Sequence, residues 1–142
     1  MRRTTLFLIT LALCSFALHF VWEYLHLPLY TGYEALGEGL PLVIYATLGD
    51  VLYTLLVVGL CMLLARSKTW AEKLHSKEYF LLALSGFLVA LFVEYKAQVL
   101  GRWVYTDLMP TLFGIGLDPL LQMTLLLPLS VYLANKVATR FL

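Results

Sequence analysis

Charged residues are scarce in this chain: they make up 13% of its 142 residues, whereas hydrophobic residues make up 61%. A soluble domain of this length does not need so much apolar side chain, so the composition is typical of an integral membrane protein. The formal net charge is only +1. A balance this close to neutral indicates no nucleic-acid partner.

Cysteine and histidine are also rare, with two and three residues. Cys14 and Cys61 fall inside hydrophobic runs and form no CxxC motif, so neither a disulfide framework nor a thiolate metal site is indicated. The chain also lacks a nucleophile elbow, a phosphate-binding glycine loop and an HExxH motif. We therefore predict a protein without a metal and without a cofactor.

The chain does contain four long hydrophobic runs, at about 5–27, 40–65, 79–100 and 112–135. Each is near the ~20 residues that a helix needs to cross a bilayer. They predict an all-α, four-transmembrane-helix up-down bundle that forms a single transmembrane domain over 1–142. We expect the first run to be kept as a helix, because Leu13 before Cys14 does not fit a lipoprotein cleavage box.

Basic residues are distributed unevenly between the two sides of these runs. Eight of the ten lie before the first run, between the second and third, or after the fourth: Arg2, Arg3, Arg66, Lys68, Lys73, Lys77, Lys136 and Arg140. The positive-inside rule then predicts that both termini are cytoplasmic. The connections 28–39 and 101–111 are expected to face outward.

Acidic residues inside the hydrophobic runs need an explanation, because an isolated charge in hydrocarbon costs roughly 2.5–3.5 kcal/mol. Four such acids are present: Glu23, Asp50, Glu94 and Asp118. At 1.5 Å per residue, Glu23 lies ~27 Å along the first helix and Asp50 ~15 Å along the second. All four therefore fall in the outer half of the bundle, and the inner halves carry no ionisable residue.

This distribution predicts one polar cavity that opens toward the extracytoplasmic face, with Asp50 near its floor. The alternative is that the acids form ion pairs that lock the helices together. Only Lys96 and Arg102 are available on that side, so pairing cannot neutralise four acids. We expect some of the carboxyl groups to be protonated or to share a proton, as in sites that carry out acid–base chemistry.

The segment "HFVWEYLH" places His19, Glu23 and His26 at i, i+4 and i+7, on one face of the first helix. A Glu-x-x-His motif also occurs in bundle di-metal sites. A second such motif is missing, because the other three runs contain no histidine. His26 by itself is typical of an aromatic belt at the membrane interface, beside Trp22 and Tyr30.

The connection "GRWVYTDLMP" carries further candidates. Gly101 is expected to end the third helix, and Arg102 is either an ion-pair partner of Glu94 or a contact for an anionic ligand. Gln98 and Arg102 follow Glu94 at i+4 and i+8. Gln122 lies one turn beyond Asp118 in the fourth run, which Pro119 and Pro128 are expected to interrupt. Glu34 and Glu38, in the first connection, are expected to be solvated.

The stretches "WEYLHLPLY", "TLGDVLY" and "EYKAQVLGRWVYTDLMPTLFGIGLDPLLQ" resemble a family of small bacterial four-helix integral membrane proteins. Its motifs are a W-E…P-L-Y segment, a G-D pair in the second helix, and a G-x-W-x-Y…M-P…P-L-L-Q segment. The resemblance covers most of the chain and implies the fold, the residues of interest and a location in the bacterial inner membrane. Members often have Asn and Gln where this chain has His19 and His26, which weakens a metal role.

A second resemblance, over shorter pieces, is to the sterol-isomerase and sigma-2-receptor (EXPERA) superfamily. Its isomerases carry an H-x-x-x-E pair on the first core helix, which is similar to His19 and Glu23 here. The analogy implies a four-helix core that opens toward a membrane leaflet and moves a proton on a lipid alkene.

These observations predict a protein that binds a membrane lipid or an isoprenoid and transfers protons on it, as an isomerase or cyclase would. Glu23, Asp50 and Glu94 are the expected catalytic residues, His19 would tune Glu23, and Arg102 and Tyr105 would hold the polar end of the substrate. The other expected binding residues are Trp22, His26, Tyr30, Gln98, Trp103, Asp118 and Gln122. Two alternatives stay open: a homodimeric proton- or cation-coupled transporter, and a non-catalytic assembly or chaperone subunit.

Overall fold

The computed structural model describes residues 2–32 and 39–140. Its main elements are four helices, α1 (Arg2–His26), α2 (Leu40–Leu64), α3 (Ser76–Val99) and α4 (Leu117–Arg140). All four are long and apolar enough to cross a membrane, which confirms the prediction of four helices of spanning length. The prediction for Glu34 and Glu38 lies outside the described residues.

Four of the predicted helix boundaries differ from the observed ones by three residues or more, among them the start of α1 at Arg2 and the end of α4 at Arg140. α3 begins at Ser76 rather than near 79, because the Glu78 carboxylate accepts a hydrogen bond from the His75 backbone N–H at 2.8 Å and so caps the first turn. α4 begins at Leu117 rather than near 112. The residues before it form a short antiparallel hairpin of β1 (Thr111–Leu112) and β2 (Ile115–Gly116), which the hydrophobic run concealed.

The prediction that two prolines interrupt the fourth helix is wrong for one of them. Pro119 lies in the first turn of α4, where proline is tolerated because the missing N–H has no partner within the helix. Pro128 does lie inside the helix.

The helices pack unevenly. α4 is the most buried of the four and packs along both α1 and α3, while α2 packs mainly on α1 and has little contact with α3. One half of the bundle is closed by fully buried apolar side chains such as Leu11, Val58 and Leu127. α2 and α3 therefore leave a gap between them in the other half.

The connections that follow α1 and α3 pair with each other over the half of the bundle that holds this gap. The Thr31 N–H donates to the Val104 carbonyl and the Thr106 N–H donates to the Leu29 carbonyl, both at 2.9 Å. Gly101 terminates α3 just beyond its last residue, as predicted. It has φ +60, and the Arg102 N–H donates back to the Ala97 carbonyl in the last turn. That turn directs the chain back over the end of the bundle.

Candidate functional site

A cavity of about 490 Å³ occupies the gap between α2 and α3. Most of its wall is apolar and comes from these two helices, with Val43, Leu52, Val89 and Val93 among the lining residues. Several polar side chains of the other elements complete it. Because α2 and α3 hardly touch, the cavity borders the side of the bundle that the membrane would surround.

Gln122 on α4 is the centre of the polar network at this cavity. Its amide Nε2 lies 2.9 Å from Glu23 Oε1, 2.9 Å from Asp50 Oδ2 and 3.1 Å from His19 Nδ1. One amide nitrogen has two hydrogens, so it cannot donate to three acceptors. The carboxyl groups of α1 and α2 are therefore adjacent and held by a single donor from α4.

His19 completes this network from a fully buried position on α1. Its Nδ1 also lies 3.3 Å from Asp50 Oδ2, so a hydrogen on Nδ1 that is donated to Asp50 leaves both Gln122 hydrogens for the two carboxyl groups. The opposite nitrogen, Nε2, has no hydrogen-bond partner among residues 2–32 and 39–140. His19 thus orients Asp50.

His26 is buried and lies between Glu23 and one further carboxyl group, that of Asp118. Its Nε2 is 3.0 Å from Glu23 Oε2, and its Nδ1 is hydrogen-bonded to Asp118 Oδ2. Trp22 Nε1 donates to the same Asp118 oxygen at 2.9 Å. An imidazole with a carboxylate at each nitrogen donates from both when it is the imidazolium, so His26 links Glu23 to Asp118.

Glu94 on α3 forms a separate group on the other side of the cavity. It is 4% exposed, and its Oε2 accepts hydrogen bonds from the Tyr105 hydroxyl and, at 3.2 Å, from Trp103 Nε1. The Tyr105 oxygen in turn accepts the Gly116 N–H at 3.2 Å. Burial, and then the hydrogen bond to Glu94, raise the pKa of Tyr105 above its usual value.

Tyr30 connects the two groups. Its ring makes edge contacts with His26, at 5.4 Å between centroids, and with Trp103 at 6.2 Å. Burial raises the pKa of the Tyr30 hydroxyl, and the carboxylates of Glu94 and Glu23 add to the effect. The phenol therefore stays protonated. It can donate and accept hydrogen bonds, but it does not become a phenolate.

Arg102 lines the cavity at the end of α3 and is exposed. The ion pairs in the described part of the chain all involve histidine, and none includes this guanidinium. The predicted Arg102–Glu94 ion pair is therefore absent among those residues. The same holds for Lys96, so neither outer base neutralises an acid of the cavity.

The cavity brings together eight of the thirteen residues that the sequence singled out. These are Glu23, His26, Tyr30, Asp50, Glu94, Arg102, Trp103 and Gln122. His19, Trp22 and Asp118 support them from behind. Gln98 is exposed beyond the cavity, and Tyr105 does not line it, because its hydroxyl is held by Glu94 and Gly116.

Sequence reasoning missed two tyrosines and a glycine of α2 that line the cavity: Tyr45, Gly49 and Tyr53. Their spacing around Asp50 is the signal that could have identified them. Both tyrosines lie within about one turn and a half of Asp50, on the side that α3 leaves uncovered.

No family model, no curated protein and no solved structure matches this chain. The interpretation of the site therefore depends on its own geometry.

Proposed function

We propose that this protein binds a membrane lipid or an isoprenoid in the cavity between α2 and α3 and transfers protons on it. The observation that carries the proposal is the cavity itself. It combines a lateral gap, a largely apolar wall and a connected set of acidic and imidazole groups at its end. An apolar chain would fit the wall, and the reacting carbons would face the acids.

The proposed chemistry is a double-bond shift or a cyclisation that needs no cofactor. One carboxyl group of the Glu23–Asp50 pair donates a proton to one carbon of an alkene, and the other carboxylate removes a proton from a neighbouring carbon. The proton count is unchanged over a turnover, since the two groups exchange roles. Gln122 and His19 keep the two carboxyl groups adjacent, which supports a shared proton.

We further propose that both termini face the cytoplasm and that the helices alternate in direction. The support is the positive-inside distribution of eight of the ten basic residues. The cavity would then lie in the outer half of the membrane. The resemblance to small bacterial membrane proteins supports the bacterial inner membrane as its location.

A transporter is supported less well by the same geometry. A transport path would have to cross the inner half of the bundle, where Leu11, Val58 and Leu127 are fully buried. The acidic network ends at Asp50 and does not continue into that half among the described residues.

Deuterium exchange tests the proposed chemistry without a known substrate. The protein in lipid nanodiscs made from a total bacterial lipid extract is incubated in D₂O, and carbon-bound deuterium in the lipids is measured by mass spectrometry. We expect label in one lipid class, and a rate roughly 10²–10⁴-fold lower in Glu23→Gln and Asp50→Asn.

The matched control is Glu78→Gln, which makes the same chemical change at the start of α3, outside the cavity, where glutamine can also cap the helix. It should label lipid at the unmodified rate. Label that persists at full rate in both Glu23→Gln and Asp50→Asn, or no label with the unmodified protein, would refute the proposed reaction.

A further inference from the structure

Two groups of opposite charge line the same cavity without meeting. Glu94 is almost completely buried, and both of its donors, Trp103 and Tyr105, bond to Oε2. No donor within 2–32 or 39–140 reaches Oε1. In the described residues, two buried polar side-chain atoms are inaccessible and lack a hydrogen-bond partner: His19 Nε2 and Thr47 Oγ1. Glu94 Oε1 is not one of them, so it is accessible. It therefore faces the cavity.

Arg102 presents the other charge, at the mouth. Arg102 lies shortly after α3 and precedes Trp103, which bonds to Glu94, and all three residues line the cavity. The two groups nevertheless form no ion pair with each other in the described structure. The cavity thus offers a hydrogen-bond acceptor inside and a planar cationic donor outside.

Burial makes this arrangement unfavourable in the absence of a ligand. A buried carboxylate that keeps one oxygen without a donor raises the free energy of the folded protein. A ligand that supplies the missing donor lowers it again. An ammonium group is the natural donor for a carboxylate oxygen, and a guanidinium matches the geometry of a phosphate with two parallel hydrogen bonds.

We propose that this end of the cavity binds an aminoalkyl phosphate head group, with its primary ammonium on Glu94 Oε1 and its phosphate on Arg102. The inference deepens the proposed function, because it assumes that the cavity holds a lipid and specifies the head group of that lipid. The acyl chains would leave through the gap between α2 and α3. Glu23 and Asp50, further along the cavity, stay free for proton transfer.

Native mass spectrometry of the full chain tests this assignment. The protein is equilibrated in mixed micelles with equal amounts of phosphatidylethanolamine, phosphatidylcholine and phosphatidylglycerol that carry the same acyl chains. We expect at least about tenfold more bound phosphatidylethanolamine than either other lipid, since a hydrogen bond to a charged group is worth about 1.5–3 kcal/mol.

Two variants separate the two contacts. Glu94→Gln should remove the preference for the primary amine, so that the three lipids bind about equally. Arg102→Gln should lower the retention of all three. The controls Glu78→Gln and Arg140→Gln make the same chemical changes on α3 and α4 outside the cavity and should retain the preference.

Free phosphoethanolamine, added as a competitor, identifies the source of the head group. Displacement of the lipid points to a soluble aminoalkyl phosphate, and no displacement points to the membrane lipid. Equal retention of the three lipids by the unmodified protein, or an unchanged preference in Glu94→Gln, would overturn the head-group assignment and leave lipid binding intact. If the protein retains no lipid of any class, the proposed function fails with it.

Discussion

Tyr105 shows how one side chain can decide whether a buried acid is tolerated. Its hydroxyl donates to Glu94 and accepts the Gly116 N–H, so it joins α3 to the strand that precedes α4. A single phenol therefore satisfies a carboxylate and a backbone donor that water cannot reach easily.

Removing this hydroxyl gives the prediction at the residue scale. Tyr105→Phe should lower the free energy of unfolding by about 1–3 kcal/mol, because the Gly116 N–H loses its acceptor and Glu94 keeps only the donor Trp103. Thermal unfolding in detergent measures the change. Tyr95→Phe is the matched control, since Tyr95 is on α3 and 62% exposed, and it should be close to neutral. Equal stabilities of the two variants would contradict this role for Tyr105.

The same variant has a pH signature. The pKa of Tyr105 is raised in the folded protein from 10.0 in the unfolded chain, so the folded state binds the proton more tightly. This contribution to stability is complete below about pH 10 and is lost as pH rises above it. Between about pH 9 and about pH 11, Tyr105→Phe should therefore lose less stability than the unmodified protein. A steeper loss of stability in the variant would show that folding does not raise the pKa of Tyr105.

At the scale of the helices, α3 and α4 approach each other closely at one glycine. Gly86 is buried on α3, and a Cβ at this position would overlap the Met123 backbone carbonyl of α4. Contacts between small residues drive helix association in membranes, where the hydrophobic effect does not act between helices. The glycine therefore sets how closely the central helix packs.

Gly86→Ala compared with Gly59→Ala isolates this contact. Each substitution gains about 1 kcal/mol of helix propensity, but only the one at 86 meets another backbone; a Cβ at 59 meets nothing within 4 Å. We expect Gly59→Ala to be neutral or stabilising and Gly86→Ala to destabilise by about 1–3 kcal/mol through overpacking. Thermal unfolding of both proteins in the same detergent decides, and a stabilised Gly86→Ala protein would contradict the close packing.

At the scale of the whole molecule, the unequal packing of the helices creates the site. α4 packs on both α1 and α3, while α2 packs mainly on α1, so the bundle is closed on one side and open between α2 and α3. The cavity is a consequence of this arrangement rather than of any one residue. Filling it should abolish binding without unfolding the protein.

Gly49→Trp is the variant that fills it. Gly49 lines the cavity on α2, and a Cβ there has no atom within 4 Å. We expect normal thermal stability together with at least about a tenfold loss of co-purified lipid by native mass spectrometry. Gly59→Trp adds the same side chain on the same helix outside the cavity and should keep the lipid. Loss of lipid in both proteins would contradict a ligand site at this gap.

The sequence alone determined that the protein has four spanning helices, because hydrophobic length and charge are local properties of the chain. It also identified most of the polar residues that line the cavity, since ionisable groups are costly in hydrocarbon wherever they lie. The termination of α3 at Gly101 could likewise be read from one residue type.

The tertiary structure decided which of these groups meet. Gln122 donates to carboxyl groups on two other helices, and His26 bonds to Asp118 of α4, and these contacts between helices are not encoded in any sequence spacing. The sequence also did not predict the hairpin before α4 or the gap between α2 and α3. The reason is physical: periodicity fixes the face of a helix, but the partner of that face depends on how all four helices pack.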